Sequence, residues 1–127
     1  MSRRILLADD EPHITAVVAR RLEGAGFETR VVQDGEEALR VVPEYAPDLV
    51  ITDLQMPCMS GLEMATKLFE APETSSIPVI MLTGRGYVLD EAELATTNIR
   101  ELMSKPFSAR RILECVEKIL GPDRQAA

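Results

Sequence analysis

The sequence predicts an α/β fold, with a five-stranded parallel sheet in a three-layer (βα)5 sandwich. Two observations lead to this class. Short apolar runs alternate five times with longer amphipathic runs, and repeated βα units form a parallel sheet through right-handed crossovers. The chain has 127 residues, a length that suits one compact domain with a single substantial core.

The predicted strands are short, and three of them carry almost continuous apolar stretches. These stretches, at residues 5–8, 49–51 and 79–82, are typical of strands that helices cover on both faces. We therefore expect those three strands at the centre of the sheet. The five predicted strands are 5–8, 28–32, 48–52, 78–82 and 100–104.

One predicted helix follows each strand, over residues 12–23, 36–42, 62–69, 90–97 and 109–120. Pro12 suits a first helical turn, Ser108 suits an N-cap, and Gly24 and Gly121 suit helix ends. We expect one domain over residues 1–121 and a short C-terminal tail over 122–127.

Charge and composition limit the function. The chain has 21 acidic against 14 basic residues and a formal net charge of −7. Duplex DNA is bound mainly by clustered cations, so no direct nucleic-acid binding is expected. The N-terminus leads into only four apolar residues before Asp9, too few for a signal peptide or a membrane span, and we expect a cytoplasmic protein. Cys58 and Cys115 are expected to be reduced thiols.

Polar side chains follow four of the predicted strands. Asp9, Asp10 and Glu11 follow the first, Asp53 the third, Thr83 the fourth and Lys105 the fifth. In doubly wound folds, ligands bind outside the carboxyl ends of the strands, where the strand order reverses. We therefore expect carboxylates, a hydroxyl and an ammonium group to meet at one edge of the sheet.

Such a cluster requires a cation, because two carboxylates at roughly 4 Å repel by about 4 kcal/mol at an effective dielectric of about 20. Mg²⁺ is the expected cofactor, since it prefers carboxylate and carbonyl oxygens and usually shares its shell with phosphate oxygens. A carboxylate beside this ion can act as the nucleophile of phosphoryl transfer and form an aspartyl phosphate. Asp53 is the expected nucleophile.

Each residue also has a plain structural interpretation. The acidic run from Asp9 favours a helix start, Asp53 can cap a turn, Thr83 can end a strand, and Lys105 can be a solvated lysine. Their joint occurrence favours a site. His13, the only histidine, is expected to be exposed on the first helix.

Over essentially its whole length the chain resembles the receiver domains of bacterial response regulators, including the chemotaxis receivers. The motifs that carry the resemblance are Asp9-Asp10-Glu11-Pro12, Asp53-Leu54-Gln55-Met56-Pro57 with Ser60-Gly61, Thr83-Gly84, and Lys105-Pro106-Phe107. The expected strand order is the flavodoxin-like order 2-1-3-4-5. The resemblance implies a phosphorylation-activated switch of two-component signalling, which promotes its own phosphorylation and dephosphorylation and is not otherwise an enzyme.

The resemblance also implies roles for single residues. Asp53 is the phosphoacceptor and a metal ligand, Asp10 binds Mg²⁺ directly, and Asp9 binds it through water. Gln55 contributes its backbone carbonyl. Lys105 pairs with the phosphoryl group, and Thr83 moves inward to donate a hydrogen bond to it.

One departure from the family pattern, one peptide bond and one pair of positions concern how the signal is held and transmitted. Leu102 occupies the position where the family usually has Tyr or Phe, so the usual aromatic rotamer switch cannot operate. The bond between Lys105 and Pro106 is expected to be cis by resemblance. Gln55 and Arg85 flank the phosphoryl group in relatives and are the candidates for setting its lifetime.

The implied phosphodonor is a sensor histidine kinase or a histidine phosphotransfer protein, which this sequence does not encode, and the downstream partner is a protein target that the sequence does not identify. A docking surface is expected to combine His13, Ile14 and Val17 with the Pro106-Phe107 loop. The alternative is that the apolar residues of this helix belong to its buried stripe. A phosphorylation-linked homodimer through the last two helices is a further hypothesis, with a solvated charged face as its alternative.

Two other functions stay open at this point. One is an interaction module with the receiver fold that is no longer phosphorylated. The other is a small aspartyl-phosphate phosphohydrolase of the haloacid dehalogenase type. Those enzymes carry a second Asp two residues after the nucleophile, where this chain has Gln55.

Overall fold

The structure is a computed structural model of the chain, and it describes residues 2–84, 90–104 and 108–121. Strands and helices alternate from the first element to the last. The strands are β1 (Arg4–Ala8), β2 (Glu28–Val32), β3 (Leu49–Asp53), β4 (Val79–Thr83) and β5 (Ile99–Ser104). The helices are α1 (Pro12–Gly24), α2 (Gly35–Tyr45), α3 (Gly61–Glu70), α4 (Glu91–Ala95) and α5 (Ala109–Leu120).

All five strands are parallel and lie in the order β2-β1-β3-β4-β5. The predicted fold class and strand order are therefore confirmed. The three strands with continuous apolar stretches, β1, β3 and β4, occupy the centre of the sheet. Because helices cover both faces of these strands, side chains pointing to either face are buried and are therefore mostly apolar.

The core has two halves, one on each face of the sheet, because successive residues of a strand point to opposite sides. Ile5, Leu7 and Ile51 pack on one face with residues of α1 and α5, such as Leu22 and Ile112. On the opposite face, strand residues pack with residues of α2 and α3; this group includes Leu6, Val50, Val79, Ala38, Val42, Met64 and Leu68. The sheet thus lies between two helix layers.

The helix ends agree with sequence signals at most positions. Pro12 begins α1, and Ser108 caps α5 by accepting a hydrogen bond from the backbone N–H of Arg111. Gly121 follows α5 with a φ of 83°, the left-handed region that glycine favours. Gly24, predicted to end α1, is its last helical residue.

Helix α2 is longer than predicted, because it continues through Pro43 to Tyr45. Proline lacks the N–H that would bind the carbonyl of Leu39, so a stop at Val42 was expected. The Tyr45 side chain is buried, and the guanidinium carbons of Arg4 and Arg30 lie 5.5 and 5.8 Å from the centre of its ring. These tertiary contacts stabilise the last turn of α2 and outweigh the helix-breaking effect of Pro43.

Helix α4 is shorter than predicted and ends at Ala95. The hydroxyls of Thr96 and Thr97 donate to the carbonyls of Ala92 and Glu93. Side-chain bonds of this kind compete with the backbone ladder of a helix. No residue of α4 is buried, so packing does not extend it.

Candidate functional site

Three carboxylates meet at the carboxyl edge of the sheet, as predicted. An oxygen from each of Asp9, Asp10 and Asp53 lies within 4.8 Å of one from the other two. Asp9 and Asp53 are buried, with 4% and 5% of their surface exposed, whereas Asp10 is exposed. The cluster therefore has a buried floor and one side open to solvent.

The turn after β1 holds Asp9 in place. Its backbone N–H donates to the carbonyl of Val32 at the end of β2, at 3.1 Å. One of its carboxylate oxygens accepts from the N–H of Glu11 at 3.0 Å, and α1 begins at the next residue, Pro12. These bonds turn the chain sharply, so that Asp10 lies beside Asp9 at the start of α1.

Asp53 is the last residue of β3 rather than the residue after it. The loop that follows is tied on both sides: the N–H of Leu54 donates to Leu82 of β4 at 2.9 Å, and the N–H of Gly61 donates to the carbonyl of Leu54 at 2.8 Å. Ser60 then caps α3 through a reciprocal capping box with Glu63. The backbone of Asp53 is thereby anchored to the sheet and to α3.

Thr83 is likewise the last residue of its strand, β4, and is fully buried. Within residues 2–84, 90–104 and 108–121, its hydroxyl has no hydrogen-bond partner. Leaving a buried hydroxyl unpaired costs about 1–3 kcal/mol. A donor held in this way suits a ligand that brings an oxygen acceptor to the edge of the sheet.

The remaining predicted positions that the structure describes lie in the loop after β3, on β5 and on α1. Gln55 is exposed in the loop after β3, and Leu102 is half-buried in β5, where it pairs in register with Met81. His13 is exposed on α1, as predicted, with its Nε2 3.7 Å from a carboxylate oxygen of Glu11. Lys105, Pro106 and Arg85 lie outside the described residues.

The oxygen ligands present fit a hard divalent cation. Carboxylate oxygens are the ligands that Mg²⁺ prefers, and the ion usually keeps several waters, which the open side at Asp10 allows. The orphaned hydroxyl of Thr83 adds a donor at the same edge. The arrangement is suited to binding Mg²⁺ together with an oxyanion.

Two residues beside Asp53 were assigned no role from the sequence, although Gly61 belongs to the Ser60-Gly61 motif. Thr52 is fully buried, and its hydroxyl donates to the backbone carbonyl of Asp53 at 2.9 Å. Gly61 packs directly against the same carbonyl. The signal for Thr52 was one hydroxyl at the end of an otherwise apolar strand, Leu49-Val50-Ile51.

No helix within the described ranges has the length and apolar character needed to cross a bilayer. Both cysteines are free thiols, as predicted.

Comparisons with known proteins agree with this geometry. The family described as the response regulator receiver domain matches residues 5–117. A curated relative, the phosphate regulon transcriptional regulatory protein PhoB of Rhizobium meliloti, is 33% identical over 120 residues, which are 94% of this chain and 53% of that protein. The alkaline phosphatase synthesis transcriptional regulatory protein PhoP of Bacillus subtilis is 32% identical over the whole chain and 52% of its own length. The chain thus spans about half the length of these relatives.

Solved structures give the same result. The chemotaxis response regulator CheY4 of Vibrio cholerae is 27% identical, with a TM-score of 0.85, over 94% of this chain and 100% of that chain. A response regulator receiver domain protein from Clostridium thermocellum is 33% identical, with a TM-score of 0.78, over 91% of this chain and 92% of that one. The chain belongs to the response regulator receiver domain family.

Proposed function

We propose that this receiver domain is a phosphorylation-activated signalling switch whose phosphoacceptor is Asp53. The observation that carries the proposal is the cluster of Asp9, Asp10 and Asp53, whose oxygens lie within 4.8 Å of one another. The burial of Asp53 at the end of a central strand supports the choice of nucleophile.

In this proposal Asp9, Asp10, Asp53 and the backbone carbonyl of Gln55 hold Mg²⁺. When bound, the ion neutralises the clustered carboxylates and draws charge from the phosphoryl oxygens. Asp10 is assigned direct contact and Asp9 contact through water.

The chemical step is an in-line displacement at phosphorus. A carboxylate oxygen of Asp53 forms the new bond, and the bond between phosphorus and the nitrogen of a phosphohistidine donor breaks, leaving the imidazole as leaving group. The buried hydroxyl of Thr83 then has an acceptor on the phosphoryl group. Lys105 is assigned to pair with the same group. Hydrolysis of the aspartyl phosphate, which the domain itself promotes, resets the switch.

The phosphodonor we propose is a sensor histidine kinase or a histidine phosphotransfer protein, which places the domain in the cytoplasm. Two of the three α1 residues expected in the docking surface are accessible to a partner. His13 and Val17 are exposed, while Ile14 packs against the core. Of the two neighbouring valines of α1, Val18 is buried in the core and Val17 is exposed. His13 and Val17 therefore stay in the docking proposal.

The output is a change in affinity for a protein target. The curated relatives carry names of transcriptional regulators, but this acidic domain is not proposed to bind nucleic acid. A homodimer through α4 and α5 is supported less well, because Arg110 lies 3.6 Å from Glu114 and Lys118 lies 3.7 Å from Glu101 within this domain. These charges favour the solvated-face alternative.

Transmission from Thr83 to the surface cannot use an aromatic ring at position 102. Leu102 is half-buried in β5 and has no ring to exchange between buried and exposed positions. We propose that the inward movement of Thr83 is transmitted by the backbone of β4 and by α4. Helix α4 has no buried residue to resist such a shift.

The test is phosphorylation by acetyl phosphate in Mg²⁺, followed by intact mass spectrometry. The native chain should gain one phosphoryl group, and Asp53→Asn should gain none. Asp48→Asn is the matched control, since Asp48 is exposed at the opposite end of β3, and it should be labelled like the native chain.

Labelling of Asp53→Asn, or no adduct on the native chain at any Mg²⁺ concentration, would contradict the proposal. A chain that binds Mg²⁺ without an adduct would be the unphosphorylated interaction module. Turnover of small phosphate esters would indicate the phosphohydrolase. Decay of the adduct in Gln55 and Arg85 variants tests the two lifetime candidates.

A further inference from the structure

We infer that Thr52 is a positioning residue, whose hydroxyl sets the orientation of the Asp53 carboxylate for metal binding and phosphoryl transfer. This inference rests on the proposed function of Asp53. Three observations on the described residues support it: the hydrogen bond from Thr52, the end of the β1–β3 ladder, and the close packing of α3.

Pairing between β1 and β3 stops just before Asp53. The last paired residues are Ala8 and Thr52. On the other side of β3, pairing with β4 still includes Asp53, opposite Leu82. Asp53 therefore lies where the sheet holds the strand from one side only.

At this position the hydroxyl of Thr52 donates to the carbonyl oxygen of Asp53, at 2.9 Å. The other end of the same peptide group, the N–H of Leu54, donates to Leu82 at 2.9 Å. A planar peptide held at both its oxygen and its nitrogen cannot rotate. The ψ angle of Asp53 is thus set by one bond from the sheet and one from Thr52.

The surroundings leave this hydroxyl little choice of acceptor. Thr52 is fully buried, and the only other hydrogen-bond acceptor that its hydroxyl reaches in the described part of the chain is the Met56 sulfur at 3.9 Å, a weak acceptor. Gly61 of α3 packs against both this carbonyl and the hydroxyl of Thr52. The bond is shielded from water, which would otherwise compete for the carbonyl.

Fixing ψ of Asp53 matters because the side chain leaves the same α-carbon. Its oxygen lies within 4.8 Å of oxygens from Asp9 and Asp10, so a small backbone rotation alters the ligand set. Residues that orient metal ligands without touching the metal typically change affinity or activity by about 10–100-fold. Misplacement of a reacting group by about 1 Å has effects of similar size.

The experiment compares three variants with the native chain. Thr52→Val keeps the shape and removes the donor, whereas Thr52→Ser keeps the donor and removes a methyl group. Thr74→Val is the matched control, because Thr74 is also buried and its hydroxyl also donates to a carbonyl, that of Leu68, at 2.6 Å. Circular dichroism checks folding, and Thr52→Ala replaces Thr52→Val if the latter does not fold.

Two readouts are measured on each folded variant: the Mg²⁺ dissociation constant by calorimetry, and the rate of phosphorylation by acetyl phosphate at saturating Mg²⁺. We expect Thr52→Val to weaken Mg²⁺ binding and slow phosphorylation by about tenfold each. Thr52→Ser and Thr74→Val should keep both values close to native, although both lose stability.

Native values for Thr52→Val, or equal losses in Thr52→Ser or Thr74→Val, would overturn the inference, because the hydroxyl would then be only structural. If the native chain binds Mg²⁺ but forms no adduct, the proposed function fails, and the Mg²⁺ readout alone decides the role of Thr52. A native chain that binds no Mg²⁺ overturns both.

Discussion

Gly61 lies directly against the backbone of Asp53. A β-carbon built on Gly61 would contact the carbonyl oxygen of Asp53 and would lie 3.0 Å from the hydroxyl of Thr52 and 3.1 Å from the sulfur of Met81. The neighbouring backbone and the buried side chains cannot withdraw, because β3 and β4 are central strands. The first turn of α3 therefore has space for no side chain at this position.

We predict that Gly61→Ala destabilises the domain by about 1–3 kcal/mol, because overpacking a buried site forces the backbone apart. Urea unfolding measures the loss. Gly24→Ala is the control, since a β-carbon there meets nothing within 4 Å, and it should change stability by less than about 1 kcal/mol, in the stabilising direction. Equal effects at the two glycines would refute the packing explanation.

The backbone conformation of Ala46 predicts that a glycine at this position would make the domain more stable. It caps α2 with φ 52° and ψ 61°, the left-handed region in which a β-carbon costs about 1–2 kcal/mol. Ala46→Gly removes that strain and should stabilise the domain by about 0.5–1 kcal/mol, after the entropy of glycine in the unfolded chain is subtracted.

The caps of neighbouring helices provide the comparison for Ala46. Ala71 caps α3 with φ −92°, an ordinary conformation for alanine. Ala71→Gly should therefore destabilise the domain, opposite in sign to Ala46→Gly. Thermal unfolding of both variants distinguishes backbone strain from a general effect of glycine.

The carboxylate cluster predicts that Asp10→Asn changes stability in a direction that depends on Mg²⁺. In EDTA the substitution should stabilise the domain by about 1 kcal/mol, because one of three mutually repelling charges is removed near the surface. With Mg²⁺ the native chain should gain stability by ligand binding to the folded state, and the variant should gain much less.

Thermal unfolding with and without Mg²⁺ checks this prediction. Glu70→Gln removes one negative charge from an exposed position of α3 and controls for net charge. It should show the same Mg²⁺ gain as the native chain. If Asp10→Asn keeps the full Mg²⁺ gain, Asp10 is not a ligand.

The surroundings of Cys58 predict how the reactivity of its thiol depends on pH. Although the residue is exposed, partial desolvation of its sulfur, and then the carboxylates of Asp34 and Glu36, raise the pKa of its thiol. The thiolate is the reactive form. Alkylation by iodoacetamide should therefore rise with pH around a midpoint above that of an ordinary thiol.

The test uses a Cys115→Ser background, in which Cys58 is the one remaining thiol. Glu36→Gln should lower the midpoint and speed alkylation at neutral pH, because a negative charge that disfavours the thiolate is lost. A midpoint that does not move would show that Glu36 has no influence on this thiol.

Much of the fold could be predicted because apolar patterns act locally. The continuous apolar runs at residues 5–8, 49–51 and 79–82 predicted the central strands, and β1, β3 and β4 lie there. Helix boundaries were less accurate where distant contacts decide them. The extension of α2 past Pro43 depends on Tyr45 packing with Arg4 and Arg30, which lie far away in the sequence.

The sequence by itself determined which chemical groups reach the carboxyl edge of the sheet. A parallel sheet places every strand end on that edge, so residues after the apolar runs had to meet there, and Asp9, Asp10 and Asp53 do. Tertiary structure alone decided how Asp53 is held: by a bond from Thr52, by Leu82 of the next strand, and by the bare α-carbon of Gly61. These contacts depend on where the pairing of β1 with β3 ends and on how closely α3 approaches β3. A pattern of residue types does not predict either of these features.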